Sequence, residues 1–509
     1  MTTSQIPWSS DLATLAHRYS ERIAVSDDTH FITYADLCKK AHAFAQVLGS
    51  AKDQLPVRIG VLLKNGIPAV IADYAISVMG ACVVHLNPTY SAADIAWCAQ
   101  IAPFDLLVTE HEFLNQLSAL DVQIVLIKDC LMSNCPEINV PFPAVAGNAE
   151  ARIIFTSGSS GKPKAVVYTH QKRWMAATVL RSVLPYRPGH TGGIALMTPY
   201  VHGASNLARA YLDCGAQVSL MQSVDLPRLE TEVQSGRVDA LFAPPSVLAK
   251  IVDAFHGRSF HQVRCIYTGT QPLPVGTYGR ATSIFGPCLR ITYGKSENLN
   301  PITVLEVDET AAVYEKTAQA TGFCVGYPGP GVELALTEAS EILLRSQHSY
   351  DGFLTHDGFE GHAPDHWHAT GDLGYFDDRG RLWLNGRCSD VINTGGYKVN
   401  PDEIESALSL VDGVQELCIL GLPSSYWTQI IVCVYVPSDL DFEPSSGFAP
   451  AIERITKYKR PRIYVATDSI NKTPAGKTSR RAVLEQVLSS YTLVDGSYPV
   501  LTKNGSADT

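Results

Sequence analysis

Residues 153–170 read Ile-Ile-Phe-Thr-Ser-Gly-Ser-Ser-Gly-Lys-Pro-Lys-Ala-Val-Val-Tyr-Thr-His. The apolar start, Ile153 to Phe155, predicts a short buried strand, and the β-branched stretch from Ala165 to Tyr168 predicts a second. Between them lie Thr156, Ser157, Gly158, Ser159, Ser160 and Gly161, then Lys162, Pro163 and Lys164. Gly158 and Gly161 permit backbone dihedrals that turn successive N–H groups toward one concavity. Thr156, Ser157, Ser159 and Ser160 bring hydroxyl donors, and Lys162 and Lys164 bring positive charge. Such a loop suits the oxygens of a polyphosphate, because its donors match them and its small side chains let the backbone approach. A plain Ser/Gly turn would account for the glycines and serines but leave the lysines unexplained.

The loop departs from a P-loop of the GxxxxGK[ST] type. Only Ser159 and Ser160 separate Gly158 from Gly161, Pro163 follows the lysine, and a strand comes next where a helix is required. Ala475-Gly476-Lys477-Thr478 fails the same test, since Asn471 occupies the first glycine position. A P-loop kinase or ATPase is therefore the weaker reading.

Outward from the loop, helical and strand patterns alternate over much of the first two thirds, which points to α/β architecture with mostly parallel sheets. A helix is expected over 91–101 with Ser91 as its cap, strands over 106–109 and 122–127, helices over 231–235 and 247–255, and strands over 240–243 and 264–267. The longest apolar stretch, 67–84, contains Asp73 and Gly80 and reads as a buried helix running into a strand. Past Arg387 the texture changes to a helix over 401–410, strands over 416–420 and 430–436, a helix over 451–456, a strand over 462–465 and a helix over 479–489. The expected fold is α/β: a large N-terminal domain, 1–386, of α/β subdomains with parallel-rich sheets packed with helices, a hinge at 387–390, and a smaller α+β C-terminal domain, 391–509.

The 509 residues are 46% hydrophobic and 18% charged, ordinary values that exclude disorder and collagen-like repeats. Lys and Arg total 40 against 50 Asp and Glu, a net charge of −10, so the chain lacks the broad basic field of a nucleic-acid binder. Small anionic substrates must then be held by local groups. The 12 cysteines are scattered without a CxxC, as expected of a reducing, cytoplasmic setting. The N-terminal stretch has no apolar core segment, so neither a signal peptide nor a transmembrane segment is expected.

The stretch from Thr156 to Val166 resembles the phosphate-loop signature of the adenylate-forming superfamily: acyl-CoA synthetases, carrier-protein adenylation domains and beetle luciferase. The resemblance recurs in family order. Tyr34-Ala35-Asp36-Leu37 and Asn87-Pro88-Thr89-Tyr90 precede the loop. Pro199-Tyr200-Val201-His202-Gly203 is similar to the acid-site motif, Thr268-Gly269-Thr270-Gln271-Pro272-Leu273 to the adenine loop, and Tyr293-Gly294-Lys295-Ser296-Glu297 to the Tyr-Gly-x-Thr-Glu motif. Thr370-Gly371-Asp372, Asn385-Gly386-Arg387, Thr394-Gly395-Gly396-Tyr397-Lys398 and Lys472-Thr473-Pro474-Ala475-Gly476-Lys477 follow.

That resemblance implies an AMP-forming acid ligase, a free-standing acyl- or aryl-CoA synthetase-like enzyme using ATP and Mg2+. It implies that Thr156 to Lys164 hold the phosphates, that Glu297 serves the magnesium ion, and that Ser296 keeps the hydroxyl of the usual threonine. Gly269, Thr270, Gln271, Pro272, Tyr293 and Gly294 would surround adenine, while Asp372 and Arg387 would hold the ribose. Lys477 would be the catalytic cation, reaching both the carboxylate and the α-phosphate. Tyr200, His202, Ser205, Phe242, Ala243, Gly269 and Asn298 would wall the acid pocket. His202 stands where amino-acid-activating relatives place an Asp, which argues against an α-amino acid. In the family the C-terminal domain is mobile: it rotates about a hinge residue, here Ser389 in place of Asp or Lys, and brings Thr394, Gly395 and Gly396 to line a thiol channel. The acceptor implied is coenzyme A or carrier-protein pantetheine, with an amine as the alternative. A silent adenylate-binding protein would be expected to lack Lys477 or Glu297, and both are present.

Overall fold

The structure is a computed structural model that describes residues 4–504 except 52–54, 56, 133–141, 158–162, 187–188, 201–203, 270, 300, 315–321, 364, 410, 439–440 and 473–477, with backbone only at 157 and 163. It divides into two compact units: Met1–Tyr314 with Pro328–Glu333 and Arg345–Trp367, and Glu315–Tyr327 with Leu334–Leu344 and His368–Thr509.

In the first unit, one sheet runs in the order Gly358–Gly361, Gly352–Thr355, Pro163–Thr169, Glu150–Ser157, Cys82–His85, Arg58–Leu62, Leu106–Thr109, Gln123–Leu126. The last five of these strands are mutually parallel, and the first three turn antiparallel. Six more parallel strands follow the order Ile23–Ser26, Gln217–Leu220, Gly193–Leu196, Ala240–Phe242, Cys265–Gly269, Leu289–Tyr293. Phe31–Thr33 and Thr303–Leu305 add an antiparallel neighbour at either end of that run. The parallel strands are apolar along their length because both of their faces are covered: every residue of Cys82–His85, Leu106–Thr109 and Gln217–Leu220 is buried.

Helices supply the cover. Ala92–Ile101 starts on a reciprocal capping box between Ser91 and Asp94 and packs Ile95, Cys98 and Ile101 under one face of the first sheet. Ile67–Val78 is buried nearly all round, and its cluster joins Ile59, Val61 and Val83 of the first sheet to Ile194, Leu196 and Val218 of the second run. A charge sits inside this layer. Asp73, 1% exposed, takes the Arg173 guanidinium at 2.6 Å and the Tyr200 hydroxyl at 3.3 Å, and Arg209 approaches within 3.8 Å. The Arg209 guanidinium is itself sandwiched between the rings of Trp8 and Tyr74, 4.4 and 4.2 Å from their centroids.

The second unit is mostly antiparallel. Glu341–Ser346, His368–Phe376, Leu382–Arg387 and Phe323–Pro328 pair in that order. A second sheet pairs Tyr397–Val399, Ile392–Thr394, Thr428–Pro437 and Val414–Ser424, with Ile463–Ala466 added parallel to Thr428–Pro437. Pro401–Leu408 and Arg480–Ser490 pack on it. The helix expected over 451–456 is shorter: a single turn, Ala449–Ile452, ends before Thr456 extends into the 3₁₀ turn Lys457–Lys459. The strands between 323 and 387 and the hairpin Tyr491–Val494 with Val500–Lys503 had no counterpart in the sequence reading. Among the described residues no helix is long and apolar enough to cross a membrane.

Two stability experiments follow from the buried charges. Asp73→Ala leaves Arg173 and Arg209 buried without their carboxylate, and the unfolding free energy is expected to fall by about 3–5 kcal/mol in chemical denaturation. Burial, then Arg173, hold the His170 imidazole at a pKa of about 3, while Trp8 Nε1 donates to its Nδ1 at 2.9 Å. An exposed imidazole titrates near ~6.5, so on acidification the unfolded chain takes the proton first; the stabilisation from neutral His170 is full above about pH 6.5 and is lost as the pH falls. His170→Gln should therefore flatten the stability curve by about 2 kcal/mol between pH 7 and pH 5. An unchanged slope in the variant removes His170 as the cause.

Candidate active site

The Ser/Gly loop is the tip of an antiparallel hairpin. Glu150–Ser157 and Pro163–Thr169 stay in register to Ser157↔Pro163, with Thr156 opposite Lys164. Gly158, Ser159, Ser160, Gly161 and Lys162 lie outside the described residues. Strand alternation puts Lys164, Val166 and Tyr168 on one face. Lys164 is exposed, its ammonium 5.7 Å from the centroid of the Phe353 ring, and among the described residues it forms no ion pair. The strand that follows the loop excludes the P-loop arrangement.

Tyr168 carries the hairpin to the next element. It is fully buried, and its hydroxyl donates to the Ser296 carbonyl. Burial, reinforced by the Glu297 charge, pushes the phenol well above its ordinary range, so it remains a donor. The Tyr350 N–H donates to the Glu297 carbonyl at 3.0 Å, and Ser349 Oγ donates to Asn298 Oδ1 at 3.1 Å. The turn after Leu289–Tyr293 is thereby held from two sides. The Glu297 side chain is half-buried and makes no hydrogen bond or ion pair among the described residues. A carboxylate so placed suits a hard divalent cation. Mg2+ is such an ion: it takes few protein ligands and completes its shell with phosphate and water.

Several expected residues leave the carboxyl ends of neighbouring parallel strands, where open α/β sheets bind ligands. Phe242 ends Ala240–Phe242, half-buried, and Ala243 follows it, buried, with its N–H on the Tyr267 carbonyl at 3.0 Å. Gly269 ends Cys265–Gly269, where a Cβ would stand 2.1 Å from the Thr292 carbonyl oxygen, so only glycine permits the approach. Tyr293 ends Leu289–Tyr293 and is buried; Gly294 is exposed and Ser296 half-buried. Gln271 is half-buried and Pro272 exposed, and Thr270 lies outside the described residues. Tyr200 is buried, its N–H on Asn65 Oδ1 at 2.7 Å and its hydroxyl on Asp73. Ser205 opens the helix Ser205–Asp213; its hydroxyl and that of Thr268 are buried without a hydrogen-bond partner among the described residues. Asn298 is 4% exposed, and His202 falls outside the described residues.

In the second unit, Asp372 and Arg387 are cross-strand partners with Nε 3.1 Å from Oδ1; the carboxylate is buried and the guanidinium exposed. Ser389 lies in the turn Cys388–Asp390. Gly395 and Gly396 form the two-residue loop between Ile392–Thr394 and Tyr397–Val399, with φ of 56° and 83°, a mirror-image turn that glycine adopts without strain. The Thr394 hydroxyl is buried without a partner among the described residues. Lys477 and the segment 473–476 lie outside the described residues, and their ends meet in a bridge between Lys472 and Thr478.

Two features escape the sequence reading. Tyr168 was legible only as part of an apolar strand, although its place on the Lys164 face was a usable signal. The other is a depression of about 340 Å³ lined by Lys457, Arg460, Arg462 and Tyr498, where the Arg462 guanidinium lies 3.8 Å from the Trp427 ring centroid. Lys457-Tyr458-Lys459-Arg460-Pro461-Arg462 is a basic cluster in the sequence and was the usable signal for it.

The chain matches the family model described as AMP-binding enzyme over residues 12–348, and that of the AMP-binding enzyme C-terminal domain over residues 403–477. It is similar to the 2-succinylbenzoate–CoA ligase of Bacillus cereus, 24% identical over 472 residues that cover 92% of this chain and 96% of the relative. Its fold is similar to that of the o-succinylbenzoate CoA synthetase from Bacillus subtilis in complex with its acyl-adenylate intermediate, with a TM-score of 0.83, 22% identity and coverage of 95% and 98%. It is similar too to the amide bond synthetase from Marinactinospora thermotolerans, with a TM-score of 0.81, 22% identity and coverage of 94% and 99%. With one model spanning most of its length and the companion model following in order, the chain belongs to the AMP-binding enzyme family of the adenylate-forming superfamily and is an AMP-forming acid ligase.

Proposed function

We propose that this ligase activates a small acyl or aryl carboxylic acid with ATP and passes the acyl group to the thiol of coenzyme A. The observation that carries the reading is the hairpin, with Thr156 opposite Lys164 and an unpaired Glu297 held beside it through Tyr168.

A carboxylate is a poor acyl donor because hydroxide or oxide must leave. Attack of its oxygen on the α-phosphorus forms a new P–O bond and breaks the bond to the β-phosphate, releasing pyrophosphate; AMP then becomes the leaving group. Both reactants are anions, so the step needs positioning and charge neutralisation more than covalent catalysis. Thr156, Lys162, Lys164 and the loop N–H groups hold the departing phosphates. Glu297 would hold Mg2+, which supplies charge neutralisation at the phosphates. Gly269, Thr270, Gln271, Pro272, Tyr293 and Gly294 receive adenine, and the Asp372 carboxylate accepts from the vicinal ribose hydroxyls, with Arg387 beside it. Lys477 bridges the carboxylate and the α-phosphate and stabilises the pentavalent transition state. His202 shapes the carboxylate end of a pocket walled by Tyr200, Ser205, Phe242, Ala243 and Asn298.

In the second step the thiol attacks the acyl carbon and AMP leaves. The domain 391–509 rotates about Ser389 in the 387–390 hinge, withdrawing Lys477 and bringing Thr394, Gly395 and Gly396 to the thiol path. The basic depression at Lys457, Arg460 and Arg462 favours coenzyme A over an amine, since a nucleotide with several phosphates needs cations that an amine does not. An amine acceptor stays as the second reading, on the departure at Ser389. A reducing, cytoplasmic setting belongs to the same proposal, on cysteines scattered without a CxxC.

The test is pyrophosphate release across a panel of aliphatic, aryl and keto acids, with 2-succinylbenzoate at its head because the Bacillus cereus relative is named for it. Adenylates are trapped as hydroxamates. Acid-dependent pyrophosphate and hydroxamate support the reading; ADP or orthophosphate points to a kinase or ATPase, and no product to a silent binder. Lys477→Ala should lower adenylation by about 100-fold or more with the KM for ATP within about threefold. Arg460→Ala and Arg462→Ala should each raise the KM for coenzyme A by about tenfold and that for ATP by less than about twofold. A preparation that turns over with amines and ignores coenzyme A overturns the thioester step.

A further inference from the structure

Arg480 opens the helix Arg480–Ser490, three residues beyond Lys477. Its side chain is 22% exposed. Nη1 donates to Asp390 Oδ2 at 2.9 Å, Nη2 donates to Glu405 Oε2 at 2.7 Å and also to Asp402, and Nε donates to the Ile419 carbonyl at 3.1 Å. One guanidinium thus fastens the end of the turn Cys388–Asp390, the start of the helix Pro401–Leu408 and the strand Val414–Ser424. Ser389 is drawn into the same knot, because its Oγ donates to the other Asp390 oxygen at 2.8 Å.

The other end of the lysine segment rests on the same strand. Lys472 bridges Thr478, the Ser479 N–H donates to the Asn471 carbonyl at 2.9 Å, and the Lys472 ammonium meets Glu416 at 2.6 Å. Glu416 and Ile419 both lie on Val414–Ser424, so the stem of the 473–477 segment is anchored there on both sides. A planar fork of fixed donors can meet three carboxylates and a carbonyl together, which a lysine ammonium cannot reproduce.

We propose that Arg480 is a positioning residue for adenylation: it locks the residue beside the pivot and the stem of the Lys477 segment into one rigid body, so that a turn about Ser389 delivers the ammonium to a single place. This rests on the roles proposed above for Lys477 and Ser389. Arg480 touches neither nucleotide nor acid; it acts through Lys477, and a misplacement of about 1 Å in such a group costs up to about 10²-fold in rate.

A double-mutant cycle tests this, using the acid that gives most hydroxamate in the panel and single-turnover pyrophosphate release. Arg480→Lys should slow adenylation about tenfold, with the KM for ATP within about twofold and the melting temperature within a few degrees. In the Lys477→Ala background the same change should slow the residual rate by less than about twofold, because the group it positions is gone. Equal losses in both backgrounds overturn the proposal, as does a rise in the KM for ATP that accounts for the loss. Should Arg480→Lys fail to fold, Asp390→Asn breaks the same knot at its other end, with the same expected pattern. A Lys477→Ala enzyme as fast as the parent removes the reading beneath this one, a result distinct from additivity in an otherwise normal cycle.

Discussion

Asp73 stands on a helix buried on nearly every side, where a lone carboxylate would be driven to take up a proton. It stays ionised because Arg173 and Arg209 converge on it from two other helices, His170–Val183 and Ser205–Asp213, and their charges outweigh its desolvation and hold its pKa below the usual range. Such a node adds little net stability over an apolar one, but it admits few alternative arrangements: the three helices must meet at fixed rotations for every partner to be satisfied. Ser77, one turn on from Asp73, accepts from Arg173 at 2.9 Å and repeats the constraint.

Strand direction gathers the candidate site residues. Ala240–Phe242, Cys265–Gly269 and Leu289–Tyr293 run parallel, so the chain turns at their carboxyl ends one after another. Phe242, Gly269 and Tyr293 emerge there side by side from consecutive strands, although they are far apart in sequence. Tyr200 belongs to both systems, since its hydroxyl ends the Asp73 node and its backbone leaves the Gly193–Leu196 strand region toward the acid-site motif.

The legible parts of the sequence are those whose local pattern matches their final surroundings. Leu106–Thr109 is apolar from end to end because both faces are buried, and Ser91 with Asp94 announces a helix start through groups three residues apart. Glu341–Ser346 is hidden because its apolar run, Ile342 to Leu344, is only three residues long, without the alternation that its half-buried pattern would call for. The Tyr168 bond to Ser296 spans 128 residues, and nothing at either end specifies the other. The motifs named the candidate residues one at a time, but which of them share a turn, such as Glu297 with the hairpin, depends on long-range packing that periodicity does not encode.

A chain with a net charge of −10 cannot draw ATP or coenzyme A by its overall field, and screening confines any field to about 8 Å at physiological salt. Cations must therefore be placed where each anion is to rest, and kept out of pairs that would neutralise them beforehand. Lys164 meets this condition in the first unit, lying over Phe353 with no carboxylate partner among the described residues. In the second, Arg462 lies over Trp427 and forms no ion pair among the described residues. Arg173 and Arg480, by contrast, are ion-paired with carboxylates and tie elements of the fold together.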